Sequence, residues 1–174
     1  MILLEFIKAN PAFSLAAIVA VVATAFTVTG RNPVHALLYL ITSLLAVALV
    51  FFVMGAPFAA LLEVIVYAGA IMVLFVFVVM MLNLGDQAVT QEQQLFTLRA
   101  WLGPGLLCVV LLFEVAWLIY SGSTVAGDTP GTGVEVSAKQ VGIALFGPYL
   151  LAVELASMLL LGALVAAYHL GRHE

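Results

Sequence analysis

Five long apolar stretches, separated by shorter polar segments, set the pattern of this chain. They run near Pro11 to Val28, Val34 to Met54, Phe58 to Leu82, Leu102 to Tyr120 and Pro148 to His169. Each is close to the ~20 residues an α-helix needs to cross a hydrocarbon core about 30 Å thick. A backbone facing lipid has no water to bond, so each stretch has to satisfy its own polar groups as a helix. The pattern therefore predicts an all-α integral membrane protein of five transmembrane helices. Boundary residues agree. Asn32-Pro33 supplies a cap and a first-turn proline, and Gly147-Pro148 is expected to open the fifth helix in the same way. Gly85 and Gly171 fall where glycine relieves a last helical turn.

Composition removes the alternative of a soluble fold. Of the 174 residues, 66% are hydrophobic and 8% charged, whereas roughly a quarter of residues are charged in soluble domains. The chain reads as a single transmembrane domain over residues 1–174. Its polar loop NLGDQAVTQEQQLFTLRAW, which starts at Asn83, partly continues as helix. The loop SGSTVAGDTPGTGVEVSAKQ reads as flexible, with Asp128 and Glu135 as solvated charges. The opening MILLEFIKANP lacks a positive n-region, so the first span is expected to be retained. No internal repeat of the kind found in many secondary transporters is visible. Small residues recur every four positions at Ala16, Ala20 and Thr24, and again at Gly162 and Ala166, a spacing that lets helices approach closely.

Charge sets an orientation by a narrow margin. Arg31, Arg99 and Arg172 fall on one side, near His35, His169 and His173, and Lys8 and Lys139 fall on the other. The excess of basic residues places the N-terminus outside and the C-terminus in the cytoplasm. The lone Cys108 supports neither a disulfide nor a thiolate metal site, and reads as a small packing residue. No Cys/His cluster points to haem or iron–sulfur ligation.

Three carboxylates lie inside the spans: Glu63, Glu114 and Glu154. A charge near the bilayer centre costs about 2.5–3.5 kcal/mol on insertion scales, and no Lys or Arg inside a span offsets it. Each acid must therefore be protonated, touch water, or meet a group from another subunit. Each sits about 8–9 Å from the same side of the membrane, at ~1.5 Å per residue. Glu63 and Glu154 read as functional. Glu114, beside Trp117 and Tyr120, reads as a neutral acid hydrogen-bonded between helices.

The third stretch carries the most unusual combination. In EVIVYAGAIMVLFVFVVMMLNL, Glu63 and Tyr67 are four residues apart and share a helical face that continues through Ala70, Ile71, Leu74 and Val78. Tyr67 lies about 14 Å into the span at the same rise, and a phenol there needs a partner. Gly69 lowers the cost of leaving the regular winding. An inserted residue, a π-bulge, would rotate everything beyond it and is common at functional sites. Spacing alone leaves two roles open for Gly69: a hinge, or a place where another helix comes close.

Three blocks settle the direction. NPVHALLYL, EVIVYAGAIMVLFVFVVMMLNL and SAKQVGIALFGPYLLAVELASMLLL closely resemble the J-subunit family of bacterial NADH-quinone oxidoreductase (respiratory complex I), whose mitochondrial counterpart is chain 6 of the NADH-ubiquinone oxidoreductase. The resemblance implies a non-catalytic subunit of the membrane arm, in the bacterial inner membrane, close to the quinone module. It implies partners of the H, A, K and N types and membrane lipids, and no nucleic acid. It also implies no cofactor in this chain, with FMN, iron–sulfur clusters and quinone held by other subunits.

In that family the third helix switches between α and π-bulged forms, which makes Tyr67, Ala68, Gly69 and Ala70 the expected gate. Val73 and Phe77 are then the expected apolar plugs, and Glu63, Tyr67 and Glu154 the expected proton path. Glu114 falls in no family block. The alternatives are a purely structural scaffold, and a subunit of a related membrane-bound hydrogenase or multisubunit cation/proton antiporter. A free-standing transporter is a third, disfavoured by the missing repeat and the absence of basic residues within the spans.

Overall fold

A computed structural model describes residues 11–30, 33–82, 98–120 and 136–172, and among them there is helix and turn but no strand. By contacts the chain forms two units, Met1–Glu135 and Val136–Glu174. The expected features at Lys8, Arg31, Asn32, Gly85, Asp128, Glu135 and His173, and the side chain of Arg99, lie outside the described residues.

In the first unit α1 spans Pro11–Thr29 and α2 spans Pro33–Val53. Pro33 opens α2 as expected, since a first-turn residue has no intrahelical use for its N–H. The end of α2 is built by Gly55, at φ 82°. The Ala56 N–H bonds the Phe51 carbonyl (3.0 Å) and the Gly55 N–H bonds the Phe52 carbonyl (3.1 Å). That is the paired closure of a Schellman motif, whose left-handed residue is nearly always glycine. Pro57 then starts the third span at once, with α3 over Pro57–Leu62, a π-wound segment over Glu63–Ile71 and α4 over Met72–Leu82. The last helix of the unit, α5, is Leu98–Tyr120, which carries the expected partial helical continuation of the preceding loop.

The helix α2 is the hub, packing against α1, the third span and α5, while α1 also touches α5. The predicted small-residue stripe is the α1–α2 seam. Ala16 and Ala46 are wholly buried there with Val19, Leu49 and Leu111. Further along, the Thr24 and Ser43 hydroxyls lie 2.7 Å apart, and each reaches the Ala20 carbonyl, at 2.8 and 3.1 Å. Interhelical bonds of this kind are worth about 0.6 kcal/mol each in a bilayer. Cys108 does pack, with its Sγ 3.6 Å from the Thr42 hydroxyl, which itself donates to the Leu38 carbonyl. Tyr39 stacks on Phe26 at 5.1 Å and lays its hydroxyl against Gly103, where a side chain would collide with it.

The second unit holds α6, Ala138–Leu145, and α7, Leu150–Gly171. Two expectations are corrected here. The loop read as flexible through Gln140 already contains helix, because Ser137 and Gln140 form a reciprocal capping box: the Gln140 N–H donates to Ser137 Oγ, and the Ser137 N–H donates to Gln140 Oε1. Pro148 does not open the fifth span. It lies in the turn Phe146–Tyr149, and α7 starts two residues later with Tyr149 at its cap. Gly171 is the last helical residue rather than the one after it, a difference within the usual uncertainty of helix ends.

Among the described residues five helices are long and apolar enough to cross a membrane: Pro11–Thr29, Pro33–Val53, Pro57–Val79, Trp101–Tyr120 and Leu150–Gly171. The predicted five-span all-α architecture is thus the observed one.

Candidate functional site

The third span departs from regular winding over nine residues, EVIVYAGAI, with Tyr67 at the centre. Neither end is marked by a break. Leu62 and Met72 both keep ordinary helical backbone angles, and the Met72 N–H is shared between the Gly69 and Tyr67 carbonyls. The span is therefore one continuous helix whose winding loosens and tightens again. Nothing in the local sequence opposes this: there is no proline, and Ala68, Gly69 and Ala70 are small. π winding puts the acceptor five residues back instead of four. The face predicted from four-residue spacing, from Glu63 through Val78, is accordingly displaced beyond the segment.

Gly69 shows what the winding demands. A Cβ built on it would meet the Val64 carbonyl oxygen, five residues back, at 3.0 Å. That is tighter than real side chains tolerate comfortably, and the opposing atom is backbone that cannot swing away. Of the two roles left open by the sequence, the atoms of this chain that crowd Gly69 belong to its own helix and not to a neighbouring one.

The structure gathers the expected gate residues into this single segment. Ala68 is buried, Gly69 and Glu63 are half-buried, and Ala70 is exposed. Tyr67 is 53% exposed. The segment packs on α2, and Met72 just beyond it is buried. The two expected plugs, Val73 and Phe77, follow one turn apart on α4, at 63% and 61% exposed. Their apolar surfaces point away from this chain's own core. Glu154 belongs to the second unit, exposed on α7, where its main-chain carbonyl accepts a bond from the Ser157 hydroxyl at 2.7 Å. Among the described residues no group of His, Cys, Asp and Glu is arranged to hold a metal ion.

Glu114 departs from its expected bonding. Glu114 on α5 is 7% exposed, and neither carboxyl oxygen has a hydrogen-bonding partner among the described residues. The expected bond between helices is not made. Its position was readable, since Glu114 lies three residues after Leu111 and four before Leu118, both of which belong to the α1–α2–α5 core. His35 Nε2 is likewise enclosed without a partner, two residues into α2.

The long apolar helices and the π-wound third span define a multi-pass helical membrane protein. The family model for NADH-ubiquinone/plastoquinone oxidoreductase chain 6 matches residues 23–170. NADH-quinone oxidoreductase subunit J of Pseudomonas aeruginosa is 62% identical over 94% of this chain and 96% of its own length. Subunit J of Escherichia coli K12 is 55% identical over 94% and 86%, and that of Buchnera aphidicola from Acyrthosiphon pisum is 47% identical over 93% of both. The chain belongs to this family, as a J-type membrane subunit of NADH-quinone oxidoreductase.

Proposed function

We propose that this subunit helps couple quinone reduction to proton translocation by switching the winding of its third span. The observation that carries the reading is the π segment Glu63–Ile71 centred on Tyr67, within an otherwise regular helix. A π turn holds one residue more than an α turn, so converting one into the other rotates the helix beyond it by about 100°. Everything from Met72 onward would then face a different direction, Val73 and Phe77 included. In one state those side chains exclude water from a path past Tyr67, and in the other they withdraw.

Tyr67, Ala68, Gly69 and Ala70 form the gate in this reading, Val73 and Phe77 the apolar plug, and Glu63, Tyr67 and Glu154 the groups along the proton path. The chain binds no cofactor. FMN, iron–sulfur clusters and quinone belong to other subunits, and the isolated chain catalyses nothing. Its neighbours are membrane subunits of the H, A, K and N types, in the bacterial inner membrane with the N-terminus outside and the C-terminus in the cytoplasm. A redox event elsewhere shifts the gate only by the difference in its interaction with the two windings, so the drive comes from those neighbours.

Gly69→Leu tests the reading. Crowding against the Val64 carbonyl should disfavour the π form by roughly 1–3 kcal/mol, lowering its population about five- to 150-fold. Protons translocated per NADH oxidised, measured in membranes, should fall while the complex stays assembled. Unchanged coupling and rate in a fully assembled enzyme would leave the chain a scaffold.

A further inference from the structure

An acid inside a membrane span has three ways to exist: to carry a proton, to touch water, or to meet a group from another subunit. Glu63 and Glu154 keep all three, since neither is enclosed by its own chain. For Glu114 the structure removes two. The residue is 7% exposed, and both Oε1 and Oε2 are shut in without a partner among the described residues. An oxygen with no accessible surface cannot be reached by bulk water or by a neighbouring subunit.

No Lys or Arg lies inside the described membrane spans to compensate it. Leu111 and Leu118 flank Glu114 on the same helical face, and that face packs with Ala16 and Val19 of α1 and Ala46 and Leu49 of α2. Three hydroxyls of the bundle bond elsewhere: Thr24 and Ser43 share their protons between each other and the Ala20 carbonyl, and Thr42 donates to the Leu38 carbonyl beside Cys108. Unpaired charge enclosed by aliphatic side chains is among the costliest arrangements a fold can hold.

We infer that Glu114 is a proton-binding site enclosed in the α1–α2–α5 bundle, occupied in the resting enzyme and separate from the π segment. The ligand is a single proton on the carboxyl. The site rests on the packing of this bundle and not on the switching of the third span.

The test is infrared spectroscopy of the assembled enzyme, wild type minus Glu114→Gln. A protonated carboxyl has a carbonyl stretch distinct from that of a carboxylate, and it moves to lower frequency in D2O. The expected difference spectrum contains one such band, which also disappears in Glu114→Leu and persists in Glu63→Gln and Glu154→Gln. A carboxylate band at this position instead, or no lost band in either Glu114 variant, overturns the assignment. So does failure of both Glu114 variants to assemble, because a neutral acid is replaceable by an amide or by leucine at such a position. Coupling measured on Gly69→Leu reports on the winding switch alone, so either proposal can fail while the other stands.

Discussion

The α1–α2–α5 bundle and the third span face the same apolar surroundings and solve them differently. The bundle buries its small residues in pairs, Ala16 and Ala46 for example, and ties its seams with hydroxyls at Thr24, Ser43 and Thr42. The third span makes few such commitments: Ala60, Ala68 and Met72 are its buried anchors, and most of its large side chains point outward. It is also the span that abandons regular winding. A helix locked along its length by interlocking neighbours has no freedom to change its turn, because packed interiors transmit strain instead of absorbing it. A helix held at a few small contacts can. On the proposed reading, the rigid region is the fixed frame and the irregular region is the segment that switches its winding against it.

Substitutions can break or sharpen that contrast, and the largest effects belong to the frame. Gly103→Ala drives a methyl group into the Tyr39 hydroxyl, and overpacking of this kind costs about 1–3 kcal/mol. The yield of assembled complex in detergent and its thermal midpoint should both drop. Gly55→Ala comes next. An L side chain at φ 82° costs about 1–2 kcal/mol, read as a lower midpoint with unchanged coupling. Ser43→Ala removes one member of the Thr24–Ser43–Ala20 cluster, for roughly 0.6 kcal/mol, a shift near the limit of detection. Val73→Ala and Phe77→Ala complete the series on the other side. Both residues are more than half exposed in this chain, so each should change chain stability by about 0.5 kcal/mol or less. Their effect belongs in proton leak across membranes containing the complex. A large stability loss from either, or a stability-neutral Gly103→Ala, would erase the distinction between frame and moving segment.

Much of this was legible in the chain. Five spans follow from length and hydrophobicity, because lipid leaves the backbone no alternative to helix. The α1–α2 seam follows from Ala16, Ala20 and Thr24. The features that escaped were those that depend on exact geometry. The α6 helix is short and lies next to a glycine-rich loop, although the Ser137–Gln140 capping pair was there to be read. Pro148 looked like a helix opener, yet the chain needs a full turn from Phe146 to Tyr149 before α7 can begin. Glu114, beside Trp117 and Tyr120, reads as hydrogen-bonded between helices, and only the packing shows both its oxygens without a partner among the described residues. At the third span, spacing alone left Gly69 undecided. The resemblance to the J-subunit family located the π winding, and the lack of room for a side chain on Gly69 beside the Val64 carbonyl gives a physical reason for glycine there.

The direct trial of the central idea is structural: high-resolution maps of the assembled enzyme at rest and during steady turnover with NADH and quinone. The account predicts Glu63–Ile71 in π winding in one population and in α winding in another, with the side chains of α4 rotated by about 100° between them. The same winding in every population, with Val73 and Phe77 never changing direction, would contradict it.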